Sequence, residues 1–479
     1  MILRVIDHPY EFDMKNLCIT FFPHEKIRLE GEEDPVVVTT RRETDGSFFV
    51  SAKVYDVYRE TTAKPEPADE EHLVLSVTLY RLLSGILGFM PPWGVLYGVR
   101  PAKLMHRLCA QMGDDAAVAH FQSAFLTQKS KAELAHEVML HENRSIARSG
   151  PKSFSLYVSI PFCPTRCAYC SFVSHSIEKT HKLMTPYVDL LLRELEETSK
   201  YAKELGLELA TVYFGGGTPT TLSAQDLGRI FSTIEQNFDL SHLMEYTVEA
   251  GRPDTVTRER LEVIRAAGVQ RISINPQSFN DKVLEAIGRR HTAQQTLDAF
   301  ALARDCGFDH INMDFIAGLP EDDLPSFQRS IQTALDLQAE SITVHTLALK
   351  TSAYMVTREQ IFDLKDRLTV SNMVDYAGQT LHGAGYYPYY MYRQSKSLGN
   401  LENVGWCKPG YDCLYNVYMM DETHTVLAVG AGAVTKLRGQ NSGMIERIYN
   451  YKYPYEYIRD FDTLLERKKR IPGFYAEYD

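Results

Sequence analysis

Six short apolar runs, at 156–160, 210–214, 245–250, 270–275, 311–316 and 341–347, alternate with stretches of helical periodicity through the middle of the chain. A strand can lie parallel to the next only after a crossover of a dozen or more residues, usually a helix, so this alternation demands a parallel sheet with helices outside it. The expected fold class is α/β, either a (β/α) barrel or a doubly wound sheet.

The flanks read differently. Residues 1–60 carry short β-type runs at 16–22, 36–40 and 48–57 between charged turns, and so predict a small β-rich unit. Residues 61–150 are helical in period, with apolar positions three and four apart over 72–87 and 116–140. Between these lies Pro91-Pro-Trp93-Gly-Val-Leu-Tyr-Gly-Val-Arg100-Pro101, which is expected to pack between the parts; the alternative is that Trp93 and Arg100 cover a site or contact an acidic substrate. Ser149-Gly150-Pro151 marks a junction. Residues 151–349 hold the six strand–helix units, and 350–479 form a C-terminal α+β domain with a helical start at 357–385, tyrosines over 386–392, a β-rich 411–434 and a charged last helix. A chain of 479 residues exceeds what one core usually serves, which fits several domains.

Composition narrows the function. Sixty-two acidic residues against 51 Lys and Arg leave a net charge of -11, which argues against a broad nucleic-acid footprint. No apolar run reaches the length of a membrane span, and the first residues lack the apolar core of a signal peptide. Eight cysteines, three of them in one loop and Cys18, Cys109, Cys306, Cys407 and Cys413 scattered, form no disulfide framework. The expected setting is a reducing, cytoplasmic one.

Cys163, Cys167 and Cys170 follow the first apolar run at C-x3-C-x2-C spacing. Iron–sulfur clusters are normally closed by four thiolates, so three leave one iron of a four-iron cluster free for a ligand from outside the protein. Zinc would ask for four N/S ligands in paired groups, and Phe172 follows Ser171 where a further ligand would stand. Three packed thiols are the remaining alternative. After the second apolar run comes Gly215-Gly216-Gly217-Thr218-Pro219, where glycines allow backbone to approach a ligand closely. Glu249, Gln277 and Asp314 stand in or after the next three runs, and Arg289 follows. Polar groups there cost free energy unless paired, either within a hydrogen-bond network or with a ligand at one mouth of the sheet.

The cysteine run together with the glycine run resembles the radical S-adenosylmethionine (radical SAM) superfamily. That resemblance implies a [4Fe-4S] cluster whose open iron is chelated by SAM, and one-electron cleavage of SAM to a deoxyadenosyl radical. From about 157 to 434 the spacings resemble the oxygen-independent coproporphyrinogen III oxidases (coproporphyrinogen dehydrogenases). The 93–101 segment with Cys-Pro-Thr-Arg-Cys-Ala-Tyr-Cys-Ser-Phe is similar to their HemZ-type subgroup. The likeness implies a partial (β/α)6 barrel with N- and C-terminal α+β parts. It implies Cys163, Cys167 and Cys170 as cluster ligands, and Tyr157, Tyr169, Gly216, Gly217, Thr218, Glu249, Gln277, Arg289 and Asp314 as SAM contacts. Thr346 and Val434 match by position alone. The implied reaction is oxidative decarboxylation of coproporphyrinogen III propionates to vinyl groups, in a monomer served by an electron donor such as flavodoxin or ferredoxin. The best-understood oxidases carry another Cys where Phe172 stands, and the haem chaperones carry a His-Asn-x-x-Tyr-Trp segment where this chain has Tyr415-Asn-Val-Tyr-Met-Met420. A haem-binding protein, with Cys407, Cys413 or His424 as axial ligand, and another radical SAM reaction on a tetrapyrrole are the rival readings. Because the substrate is a tetra-anion and the chain acidic, Arg393 beside the tyrosines is expected to grip a propionate.

Overall fold

A computed structural model describes residues 1–170, 175–348, 364–394 and 397–479, apart from His24 and Val99. The N-terminal sheet runs β1 (Ile2–Ile6), β2 (Val36–Arg42), β3 (Phe48–Val54) and β4 (Val57–Ala63), in that order. Helices α1 (Glu11–Phe21) and α2 (Glu71–Leu87) complete a small core of Met14, Leu17, Val38, Val50 and Leu79. The expected strand at 16–22 is helical instead. Its buried residues Met14, Leu17, Cys18 and Phe21 recur at helical spacing, and that period outweighed the β propensity of its Ile, Thr and Phe. Helices α3 (Pro101–Met112), α4 (Asp114–Ser123) and α5 (Lys129–Ile146) follow.

All six expected middle strands form. They are β5 (Ser153–Ile160), β8 (Glu208–Gly216), β9 (Glu245–Glu249), β10 (Arg271–Ser273), β11 (His310–Ala317) and β12 (Ser341–Thr346); two short strands, β6 (Phe162–Cys163) and β7 (His175–Ser176), pair with each other between the first two. The six lie side by side in chain order and all parallel. Their crossovers are helical: α6 (Ile177–Glu204), α7 (Ala224–Asn237), α8 (Arg258–Ala266), α9 (Asp281–Ala286) with α10 (Ala293–Asp305), and α11 (Leu324–Asp336). Apolar side chains such as Leu156, Val158, Val212 and Ile272 bury the sheet on the helix side, as a sheet covered on its faces requires.

The last part of the chain completes this sheet. After α12 (Leu364–Gly383) come β13 (Tyr387–Arg393), β14 (Glu402–Cys407), α13 (Leu414–Asp421), β15 (Thr425–Val429), β16 (Val434–Arg438), β17 (Ile445–Tyr449), α14 (Pro454–Arg459), α15 (Phe461–Lys468) and α16 (Arg470–Tyr478). β14 pairs antiparallel with β12 on one edge, and β15 pairs parallel with β5 on the other, giving eleven strands in all. Both open edges of the six-strand run are thereby covered. Two cores result: Met1 to Leu83, Phe89 and Val95 contribute to one, while Trp93, α3 to α5 and the C-terminal strands pack on the barrel. Within the expected β-rich 411–434, residues 414–421 are helical. Leu-Tyr-Asn-Val-Tyr-Met-Met is apolar nearly throughout, and such a run has no period to separate helix from strand.

Buried ion pairs tie these parts together. Lys131 of α5 reaches Glu402 of β14 at 2.6 Å, and the same carboxylate accepts the Trp93 indole N–H at 2.7 Å. The 91–101 loop is thus a packing element between N- and C-terminal parts.

Candidate functional site

A cavity of about 400 Å³ opens at the C-terminal ends of the parallel strands. Its wall follows the two-residue period of a strand. Arg271, Ser273 and Asn275 line it from β10 and the residues beyond, Asn312, Asp314 and Ile316 from β11, and Thr343 and His345 from β12; Tyr157, Tyr213 and Glu249 come from β5, β8 and β9. In a (β/α) barrel this is the end at which ligands meet the loops.

The cysteine loop is held from two sides. Gly217 N–H donates to Ile160 O and Thr218 N–H to Phe162 O, each at 2.7 Å, which stitches the glycine run to the strand leading into the loop. No larger residue fits this seam: a Cβ at Gly217 would lie 2.5 Å from Phe162 O, and Gly216 has φ +100°. On the far side Ala168 N–H bonds Ile287 O at 3.0 Å, and Tyr169 OH accepts from Arg289 Nη2 at 3.1 Å. Cys163, Cys167 and Cys170 all line the one cavity, and Thr218 Oγ1 donates to Cys163 Sγ at 3.5 Å.

Two carboxyls share this cavity and are driven apart. Burial raises Glu249 to about 7 although the Tyr213 hydroxyl donates to it at 2.6 Å. Burial also pushes Asp314 upward, but His345 and the Asn312 amide outweigh it and hold this carboxyl below its usual range. The Asn312 amide lies 2.7 Å from Asp314, the His345 ring 3.8 Å, and Tyr392 OH meets the other His345 nitrogen at 3.3 Å. Near neutral pH the site thus offers one partly protonated carboxyl and one carboxylate, the pattern that lets two acids take different roles. Gln277 adds strain: its φ is +69°, unusual for a non-glycine, while its N–H is bonded to Asp314 O at 2.9 Å.

Among the residues expected from sequence, Tyr157, Tyr169, Gly216, Gly217, Thr218, Glu249, Gln277, Arg289, Asp314 and Thr346 line the cavity with the three cysteines. Val434 does not; it begins β16, paired with Tyr449. Arg393 does not either. Its guanidinium donates to Leu96 O at 2.7 Å and Asn400 O at 3.1 Å and stacks 5.1 Å over Trp93, so it joins the packing of the 91–101 loop, and burial lowers it to about 9. The propionate role expected of Arg393 is corrected on that ground. Trp93 and Arg100 are likewise turned to Glu402 and Glu422. His424 spends both ring nitrogens on Ser149 and Ser155, at 2.7 and 2.8 Å, while Cys407 and Cys413 are fully buried away from the cavity, so none is placed as a haem ligand there. Phe172 lies outside the described residues. Tyr390 and Tyr392, of the tyrosine run expected to face a macrocycle, do line the cavity, whereas the sequence reading missed His345, Arg252, Tyr213, Met419 and Met420 as wall residues. The polar alternation Thr343, His345 in an apolar strand was the available signal.

The radical SAM superfamily pattern matches residues 157–334. An oxygen-independent coproporphyrinogen-III oxidase-like protein, HemZ of Bacillus subtilis, is 34% identical over 470 residues, 95% of this chain and 94% of that one. The chain belongs to this HemZ-like family of radical SAM proteins. The haem chaperone HemW of B. subtilis is 31% identical over 318 residues, covering 64% of this chain and 79% of that protein. Among solved structures, the Escherichia coli coproporphyrinogen III oxidase HemN superposes with a TM-score of 0.51 at 22% identity, over 68% of this chain and 72% of that one, a likeness of fold. Membership in the radical SAM family implies a [4Fe-4S] cluster and SAM as cofactors. The site suits them. Three thiols meet at one cavity beside a glycine seam with no room for a Cβ, and the lining residues Asn275 and Arg289 each keep a buried polar atom, Oδ1 and Nε, without a partner among the described residues. Among the described residues no helix is long and apolar enough to cross a membrane.

Proposed function

We propose that this radical SAM protein is an oxygen-independent coproporphyrinogen dehydrogenase, converting propionate side chains of coproporphyrinogen III to vinyl groups. Supplied when bound, the cluster and SAM provide one-electron chemistry that ends in abstraction of a hydrogen atom from substrate. Cys163, Cys167 and Cys170 hold the cluster, and Gly216, Gly217, Thr218, Glu249, Gln277, Arg289 and Asp314 bind and orient SAM. Asp314, kept ionised by His345 and Asn312, accepts hydrogen bonds from the ligand, while Glu249 can hold or give up a proton near pH 7. The observation carrying the substrate class is the wall facing these residues. Tyr390, Tyr392, Met419 and Met420 bring flat rings and pliable thioethers to the same cavity, surfaces that suit a broad macrocycle. With Arg393 turned away, the propionates would be met by the Tyr392 hydroxyl and the Gln394 and Asn416 amides. The C-terminal part, which brings Tyr390, Tyr392, Met419 and Met420 to the cavity wall, helps exclude water from reactive chemistry.

The test is an anaerobic assay that scores deoxyadenosine and protoporphyrin together. Turnover of coproporphyrinogen to a vinyl product, in step with deoxyadenosine, supports the reading. Tight haem binding with no porphyrin product would instead favour a haem-delivery role of the kind named for the haem chaperone relatives.

SAM binding has its own expected result. Asp314→Ala removes a charge-assisted hydrogen bond of about 1.5–3 kcal/mol, so SAM affinity should fall roughly ten- to hundredfold while iron content stays near that of the parent. Calorimetry or equilibrium dialysis on the reconstituted protein measures it. Unchanged affinity would reduce Asp314 to a partner that merely holds Asn312 and His345.

A further inference from the structure

A guanidinium stands directly on the middle cysteine. Arg252 Nη1 lies 3.6 Å from Cys167 Sγ and donates to Thr165 Oγ1 at 3.2 Å, inside the same loop. The other edge of the guanidinium is clamped by Asp254, Nε to Oδ1 at 3.0 Å and Nη2 to Oδ2 at 3.1 Å. Arg252 is only 3% exposed, so little water screens its charge. The chain delivers it by a short route: β9 ends at Glu249, Ala250 and Gly251 turn the backbone, and a 3-10 turn from Pro253 brings Asp254 back onto the fork. Arg289 is a second cation against Cys167, with Nη1 donating to Asn275 O at 2.6 Å and Nη2 to Tyr169 OH at 3.1 Å.

Hydrogen bonds to ligand sulfurs and local charge are among the factors that set the potential of an iron–sulfur cluster. A positive group beside a thiolate favours whichever redox state carries more negative charge, which is the reduced one. We propose that Arg252, with its charge tempered by Asp254, is a positioning residue that raises the reduction potential of the cluster. This rests on Cys163, Cys167 and Cys170 being the cluster ligands. The step concerned is transfer of one electron from a low-potential one-electron donor to the cluster, with no bond made or broken.

Opposite signs make the test sharp. Arg252→Met removes the positive charge and the N–H···S contact, and the midpoint potential should move negative by about tenfold in the reduction equilibrium, ~59 mV for one electron. Asp254→Asn leaves the guanidinium uncompensated, and the potential should move positive. Arg252→Lys keeps the charge without the fork and should fall between Arg252→Met and the parent. Dithionite titration of the reconstituted protein without SAM, followed by electron paramagnetic resonance, reads all three, with iron content and SAM affinity as controls. Loosening of the loop alone would not shift the first two variants in opposite directions. Potentials unmoved, or moved the same way, in cluster-loaded Arg252→Met and Asp254→Asn overturn the proposal, as does a loss of SAM affinity in Arg252→Met with no change in potential. If Arg252→Met assembles no cluster, a positive shift of Asp254→Asn and a negative shift of Arg252→Lys, each read against the parent, decide alone. A full cluster in Cys167→Ala would overturn the ligand assignment instead, an outcome distinct from these.

Discussion

Cys167→Ala should yield a folded protein with neither the broad absorbance of a four-iron centre nor any deoxyadenosine formation. Fold and chemistry separate here for a physical reason. The loop is shaped by backbone bonds that the thiol does not make: Gly217 to Ile160 O, Thr218 to Phe162 O and Ala168 to Ile287 O. Removing one sulfur from a side chain only 8% exposed leaves those bonds intact and vacates a small volume. The cluster, however, would be left with two thiolates for four irons. Circular dichroism checks the fold, iron and sulfide assays the cluster, and chromatography the deoxyadenosine. Parent-level iron together with deoxyadenosine in this variant would remove the basis for placing the cluster at these cysteines.

Lys468→Met should destabilise the chain by about 3–5 kcal/mol, the cost of leaving one buried charge without its partner. Lys468 and Glu194 are both wholly buried, 2.7 Å apart. Glu194 also accepts from Tyr457 OH at 2.6 Å, Asn450 at 2.8 Å and the Gly430 N–H at 2.8 Å, and Lys468 donates to Ala428 O at 2.7 Å. The pair thus joins α6 of the barrel to β15, to the turn after it and to the C-terminal helices. Because β15 pairs with β5, whose next residues lead into the cysteine loop, loosening it frays the barrel edge nearest the cluster. Urea denaturation compares Lys468→Met with the double variant Lys468→Met/Glu194→Gln, which removes the stranded charge and should regain part of the loss. Single-variant stability within about 0.5 kcal/mol of the parent would show that the pair contributes packing only.

What could be read from the chain was local. The C-x3-C-x2-C run, the glycine run one strand later and the six strand–helix alternations are short patterns whose meaning does not depend on distant residues. The structure brings them to one cavity. Glu249, Gln277 and Asp314 were legible because a polar group near the end of an apolar strand needs a partner. The same argument reached His345, Ser273 and Asn312, where it was not pressed. Arg393 shows the limit. Tyr390 and Tyr392 face the cavity, and in a pleated strand the next residue points the other way, so adjacency to the tyrosines put the guanidinium on the wrong face for a substrate.

The sequence by itself determined the parallel α/β middle, the cysteine and glycine loops at strand ends and the family likeness that names the cofactors, because these rest on period and spacing within a few residues. Tertiary structure alone decided which distant segments close the site. β14 and β15 cover opposite edges of the barrel, α13 supplies Met419 and Met420, and Arg252 comes to rest on Cys167, 85 residues away in the chain. Such contacts arise from burying both open edges of a parallel sheet, and the free energy that selects them is spread over many apolar side chains rather than written in any short motif.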